Sequence, residues 1–350
     1  MTARSRTRTF LFGAAAAALL APIALVAAMA SPASAAPGKP HEVYMYKVEK
    51  HVDLSGEFPD QNLHEHVYCN PGDIALDGMW RVDHVDQANP PDTYGDERDV
   101  SVLASYGDDI DRTKWHFRMT NFADGDAQIK LFATCIRGTV EQAYGHTHEV
   151  RVTGRGDQQH NGLLASPNVQ SFAWDNACPD DSYAVTPGFN VTSSEFGKRV
   201  RIVRSYPSAA NFQGWRWAFV VSDPVDITVY LRCLRTTTGS GGSGPHAHQL
   251  PMAWRPTGQG GYFSNLNVVG TQERRVNCDD GANGNRYQDY KAMVGAFWIN
   301  DPSHVWFLGM DPRPKQRAYK FWWDGGGDSG IYLDALCVRA RTGKQIAPVP

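Results

Sequence analysis

Apolar and polar residues alternate along much of the chain, and three stretches of that alternation are copies of one another. Ile129-Lys130-Leu131-Phe132-Ala133-Thr134 leads into Cys135, Ile227-Thr228-Val229-Tyr230-Leu231-Arg232 into Cys233, and Ile331-Tyr332-Leu333-Asp334-Ala335-Leu336 into Cys337. Counting back from each cysteine, every second residue is apolar, which is the period of a strand with one buried face. An aliphatic residue and then an arginine follow all three cysteines. Upstream, Trp115-His116-Phe117-Arg118-Met119, Trp215-Arg216-Trp217-Ala218-Phe219 and Tyr319-Lys320-Phe321-Trp322-Trp323 predict a partner strand. The Asp- and Gly-rich residues between the two strands predict a hairpin. The units also begin alike, at His41-Glu42-Val43, His148-Glu149-Val150 and His248-Gln249-Leu250, so the repeat periods are 107 and 100 residues.

The cysteines fall two to a unit, and the repeat together with an oxidising compartment pairs Cys69 with Cys135, Cys178 with Cys233 and Cys278 with Cys337. Each bond closes a long loop and contributes roughly 4 kcal/mol on the chain-entropy model. Some hundred residues, several short strands and one long-range disulfide per unit resemble the immunoglobulin-like β-sandwich of secreted bacterial tandem-repeat proteins. The resemblance implies an all-β chain of three tandem sandwiches, each with an internal disulfide. A jelly roll or compact barrel is the alternative. Trp80 stands near the place of a core tryptophan, but Ala133, Leu231 and Ala335 occupy the position where antibody domains carry a corner tyrosine. The expected organisation is a leader at 1–35, sandwiches at 41–144, 148–236 and 248–344, and a Gly/Ser linker at 237–247, giving beads on a tether.

Residues 1–35 read as a cleavable export signal. Arg4, Arg6 and Arg8 precede an alanine-rich apolar stretch broken by Pro22, and Ala33-Ser34-Ala35 supplies the small residues of a cleavage site. The style resembles actinobacterial exported proteins and implies a secreted or peripherally surface-associated product with no integral membrane segment after cleavage. The chain has 350 residues, 33 of them Gly and 21 Pro, and a formal net charge of −3. Without the leader the balance is 31 basic against 37 acidic residues, which argues against nucleic acid as the partner.

Three His-x-His pairs occur, at His64/His66, His146/His148 and His246/His248. Alternate strand residues face one side, so such a pair can chelate a divalent ion. The pairs at the unit junctions, His146, His148, His246 and His248, are the candidate ligands. A packing role for hydrogen-bonded imidazoles is the competing reading. Asp279-Asp280-Gly281-Ala282-Asn283-Gly284-Asn285 has the oxygen-rich character of a calcium loop without EF-hand spacing. Zinc and calcium are thus the ions to consider, and no other cofactor is indicated.

Ten tryptophans raise the possibility of sugar stacking. Adjacent strand residues point to opposite faces, so one of Trp322 and Trp323 is expected to be exposed or covered by a partner, with Trp254 as a further candidate. Arg155-Gly156-Asp157 matches the integrin tripeptide by coincidence of common residues. No nucleophile elbow, phosphate loop or H-E-x-x-H zinc motif is present. What the units share is structural, so the sequence points to a non-enzymatic, exported structural or adhesive protein that assembles with itself into a filament or coat. A secreted carbohydrate-binding protein is the first alternative, and a hydrolase without an assignable site the second. If one unit carries specificity, the divergent third is the expected one.

Overall fold

The computed structural model describes residues 41–56, 61–85, 97–123, 125–141, 147–163, 166–192, 199–208, 212–239, 246–254, 261–264, 270–278, 289–325, 330–343 and 345–346. The expected leader, His146 and the Asp279–Asn285 loop lie outside the described residues.

Among the described residues every regular element other than two short 3-10 turns is a strand. The alternation explains why. Ile129, Leu131, Ala133 and Cys135 are all buried, as are Ile227, Val229, Leu231 and Cys233, and Ile331, Leu333, Ala335 and Cys337. The upstream strands do the same with Trp115, Phe117 and Met119, with Trp215, Trp217 and Phe219, and with Tyr319, Phe321 and Trp323.

The first repeat contributes β1 (Met45–Leu54), β2 (Asn62–Tyr68), β3 (Ile74–Val85), β4 (Val100–Gly107), β5 (Lys114–Asn121) and β6 (Ala127–Ile136). A short ribbon, β7 (Thr139–Glu141) and β8 (Thr147–Glu149), leads into the second repeat. That repeat holds β9 (Gly156–Leu163), β10 (Ser166–Trp174), β11 (Ser182–Val191), β12 (Val200–Pro207), β13 (Trp215–Val221) and β14 (Val225–Arg235). The third opens with β15 (Ala247–His248), β16 (Met252–Trp254) and β17 (Gly261–Ser264). It continues with β18 (Gly270–Asn277), β19 (Tyr290–Ile299), β20 (Val305–Arg313), β21 (Ala318–Gly325), β22 (Gly330–Arg339) and β23 (Gln345–Ile346).

Each repeat divides its strands into two three-stranded halves, and each half continues into a half of a different repeat. The sheet orders are β1-β6-β3-β20-β21-β18, β2-β5-β4-β11-β14-β9 and β10-β13-β12-β19-β22-β16, with β17 also on β22. The junctions are antiparallel and short: Gly309 opposite Arg81, Phe189 opposite Ser105, and Arg204 opposite Trp298. Each of these three sheets is therefore shared by two repeats, and the third repeat returns to pair with the first. The described residues from His41 onward fall in one compact unit. The physical reason lies in the inner strands β3, β4, β11, β12, β19 and β20. Standing alone, a half-sheet would expose the backbone donors and acceptors of their free edges, and the short pairing across repeats satisfies those at the junctions.

The expected tether is likewise built in at its start. Leu250 N–H donates to Thr236 O, Gly239 N–H donates to Glu149 O, and Thr238 is buried. The three disulfides join the expected pairs, with Cα–Cα distances of 5.8, 5.5 and 5.9 Å.

One apolar core runs through all three repeats. Trp80 meets Phe307 at 6.0 Å and Phe189 at 6.4 Å, Phe189 meets Phe219 at 5.2 Å, and Phe297 stacks on Phe307 at 3.6 Å. Burying each such ring contributes roughly 1.5–3 kcal/mol. Two buried indoles of this core have partners that repeat as well. Trp115 Nε1–H donates to Ser105 Oγ at 2.9 Å and Trp215 Nε1–H to Ser205 Oγ at 3.0 Å. In the third repeat Tyr319 takes the tryptophan's place, and its hydroxyl donates to Asp77 Oδ2 of the first repeat at 2.9 Å. Gly78 makes room for the Trp115 indole, since a Cβ there would lie 2.0 Å from Nε1.

Candidate metal centre

The three repeat starts converge. His41, His148 and His248, the residues that open the three units in sequence, meet with ring centroids 4.7, 4.4 and 5.0 Å apart. His246 joins them at 4.8 Å from His148 and 5.1 Å from His248. One nitrogen from each of the four rings lies within 4.8 Å of all the others. His41, His148 and His248 are buried and His246 is half-buried.

Local pairing puts each imidazole there. The residue five positions beyond the second cysteine of a unit is Val140, Thr238 or Thr342. Val140 pairs with His148 in the ribbon of β7 and β8. Thr238 N–H donates to His248 O and Thr342 N–H to His41 O. The two threonine hydroxyls complete the arrangement by accepting from His248 N–H and His41 N–H, both at 2.9 Å. The strand that ends one repeat thus positions the histidine that begins the next, and the end of the third positions the start of the first.

His148 carries the further feature of a ligating imidazole. Its Nδ1 lies 3.0 Å from the carbonyl oxygen of Gly239, which can only accept, so Nδ1 carries a proton and Nε2 is the nitrogen left to ligate an ion. Nitrogen donors of this kind suit zinc, copper or nickel, whereas calcium takes oxygen ligands. A tetrahedral zinc with Zn–N near 2.0 Å would set its ligand atoms about 3.3 Å apart, closer than the 4.8 Å within which the four nitrogens now lie. Of the four junction histidines expected as ligands, His148, His246 and His248 are brought together. His41, not among the expected ligands, completes the group. Its alignment with His148 and His248 at the repeat starts is the sequence signal that could have identified it.

A second group lies on the sheet formed by β2, β5 and β4. His66 stands directly opposite His116, with the rings 4.6 Å apart, and His64 is 5.4 Å from His66. His116 Nε2 lies 2.6 Å from Asp108 Oδ2, and the Tyr106 ring stacks on His116 at 4.7 Å. Burial holds both His66 and His116 below the usual imidazole range. The neighbouring His116 adds to this at His66, while Asp108 opposes it at His116. Burial would raise Asp108, yet the N–H groups of Asp111 and Ile110 and the His116 ring bring it down to about 2. His116 could not be found from spacing, because only the strand register sets it against His66.

The aromatic candidates are placed differently from expectation. Trp322 and Trp323 are both buried. The outer face of Trp322 is covered within the chain, by Arg81 at 4.1 Å and Lys320 at 4.8 Å from its ring, so strand alternation does not expose it. Trp254 is buried against the second repeat, 5.6 Å from Trp215 and 6.1 Å from Phe212. Gly156 and Asp157 lie in β9 opposite Leu231 and Tyr230, and the Arg155 guanidinium just before the strand covers the Tyr230 ring at 4.4 Å. No helix among the described residues is long and apolar enough to cross a membrane. Three disulfides fit an oxidising, extracellular setting. No protein-family model matches the chain, and no curated protein matches its sequence.

Proposed function

We propose that the protein is an exported, non-enzymatic extracellular scaffold whose three repeats are stitched together by zinc at the histidine cluster. The observation that carries this reading is the convergence of three equivalent residues, His41, His148 and His248, on one buried point with His246 beside them. Imidazoles desolvated together gain little from one another and much from a shared cation. Export rests on the leader and the disulfides. Binding rather than catalysis rests on what the repeats share: cysteines, strand apolars, turn residues and the converging histidines.

The self-assembling form of this reading has sheet-edge strands to work with, β1, β2, β9, β10, β16 and β18. Among the described residues, however, the large apolar side chains left exposed are Tyr44, Tyr68, Ile110 and Tyr332, which are few for an adhesive surface. The glycan alternative loses support, since its named tryptophans are buried.

Metal content and thermal unfolding of the oxidised protein test the proposal. Zinc is expected to raise Tm and chelation to lower it, because a ligand held only by the folded state stabilises that state. His148→Ala should remove one equivalent of bound zinc, and His66→Ala should leave that equivalent in place. A Tm indifferent to zinc, or an unchanged stoichiometry in a folded His148→Ala protein, would overturn it.

A further inference from the structure

A cavity of about 580 Å³ lies far from the histidines. Along β3 the histidine cluster is at the Ile74 end, where β6 finishes and leads into Val140, and the cavity is at the Val82 end. All three repeats wall it: Trp80 and Val102 from the first, Ile202 and Val221 from the second, Trp306 and Phe307 from the third. Its size falls within the range of about 300–1,000 Å³ typical of small-molecule sites, and its walls are mainly apolar, as such sites are.

Three guanidinium groups line the same cavity, and they differ in their partners. Arg98 Nε–H donates to Asp324 Oδ2 at 2.6 Å, and Arg199 donates to Asp99 Oδ1 at 2.9 Å. Arg201 has no carboxylate within ion-pair distance among the described residues. Glu97 shares the wall without reaching it. The Arg201 guanidinium lies instead 4.8 Å from the Trp306 ring, and that of Arg98 lies 4.3 Å from the same ring. Burial, with Arg98 nearby, brings the Arg201 pKa down to about 10.

A half-buried guanidinium beside apolar walls and a second cation is poorly compensated, and an entering anion would supply the missing partner. The planar fork of arginine matches a carboxylate with two parallel hydrogen bonds. We infer that the cavity binds a small amphipathic carboxylate, its acid group on Arg201 and its apolar body along Trp80, Ile202 and Phe307. One unpaired arginine suits a monoanion, and the apolar walls suit a hydrocarbon or aromatic body better than a sugar. The histidine cluster plays no part in this site, so the two can be tested separately.

Calorimetric titration of the full, disulfide-bonded protein with decanoate, decanol and decyltrimethylammonium is the test. Decanoate should bind at least tenfold more tightly than decanol, and the cationic amphiphile least of all. Arg201→Gln should reduce decanoate affinity about tenfold, to the level of decanol, while leaving decanol binding unchanged. Arg201→Lys should fall between the two, and Arg216→Gln, on a residue paired with Asp175 outside the cavity, should behave as wild type. Near-UV circular dichroism establishes that each variant is folded, and Arg201→Lys serves as the readout if Arg201→Gln is not. Equal affinity for decanoate and decanol, an absence of decanoate binding, or an Arg201→Gln protein that binds decanoate normally would overturn the inference.

Discussion

Asp77 is the residue at which the shared architecture has the sharpest chemical consequence. Its carboxyl is fully buried between the first and third repeats, where it accepts from Gly295 N–H at 3.0 Å and from the Tyr319 hydroxyl. Burial raises its pKa to about 7, and those hydrogen bonds restrain the rise without cancelling it. An unfolded aspartate titrates near ~3.9, so between that pH and about 7 the folded chain holds a proton that the unfolded chain has lost. By linkage, this group's contribution is fully present below the unfolded pKa, is lost as pH rises through about 7, and is flat above that. Urea unfolding of Asp77→Asn should therefore gain on wild type progressively as pH rises from acid to neutral. Parallel stability profiles for the two proteins would refute this. The same network reaches Thr134, whose hydroxyl lies 2.8 Å from that of Tyr319, so three chain segments distant in sequence meet in one buried hydrogen-bonded network.

At the scale of elements, the junction between β3 and β20 depends on the absence of a side chain. Gly309 has φ of +142°, and a Cβ there would lie 2.0 Å from the Trp80 carbonyl oxygen. Neither the backbone angle nor the approach tolerates another residue, and backbone cannot give way as a flexible side chain would. Gly309→Ala is expected to cost about 2–4 kcal/mol in chemical denaturation. Gly154→Ala, where nothing lies within 4 Å of the added atom, should change stability by only a few tenths of a kcal/mol. Comparable losses at both positions would mean that the junction is not as tight as described. Alternation along β6, β14 and β22 and their hairpin partners was fully legible beforehand, because one buried face imposes a period of two on its own strand. Which strands of different repeats would pair was not legible, since a backbone edge carries no side-chain code.

At the largest scale, among the described residues, each of the three large sheets is shared by two repeats. The oxidised chain should unfold in a single transition with coincident fluorescence and far-UV signals, whereas beads on tethers would separate into steps. Reduction should lower stability by roughly 4 kcal/mol per disulfide on the chain-entropy estimate for loops of this length. A resolved intermediate in the oxidised protein would argue for autonomous repeats. The histidine cluster and the arginine-lined cavity both exist only at this scale, each being built from side chains that belong to all three repeats.

The amino-acid sequence by itself determined the strands, their buried faces, the threefold repetition and the cysteine partners, because each of these is written in local periodicity or in one matching residue type per unit. It also marked His41, His148 and His248 as equivalent without revealing that they touch. Tertiary structure alone decided that the repeats exchange half-sheets, that Trp322 and Trp323 are both covered, and that Arg201 lines a cavity with no carboxylate paired to it among the described residues. These outcomes depend chiefly on backbone pairing and cation–aromatic contacts between residues far apart in the chain, and no local pattern encodes a partner at such a distance.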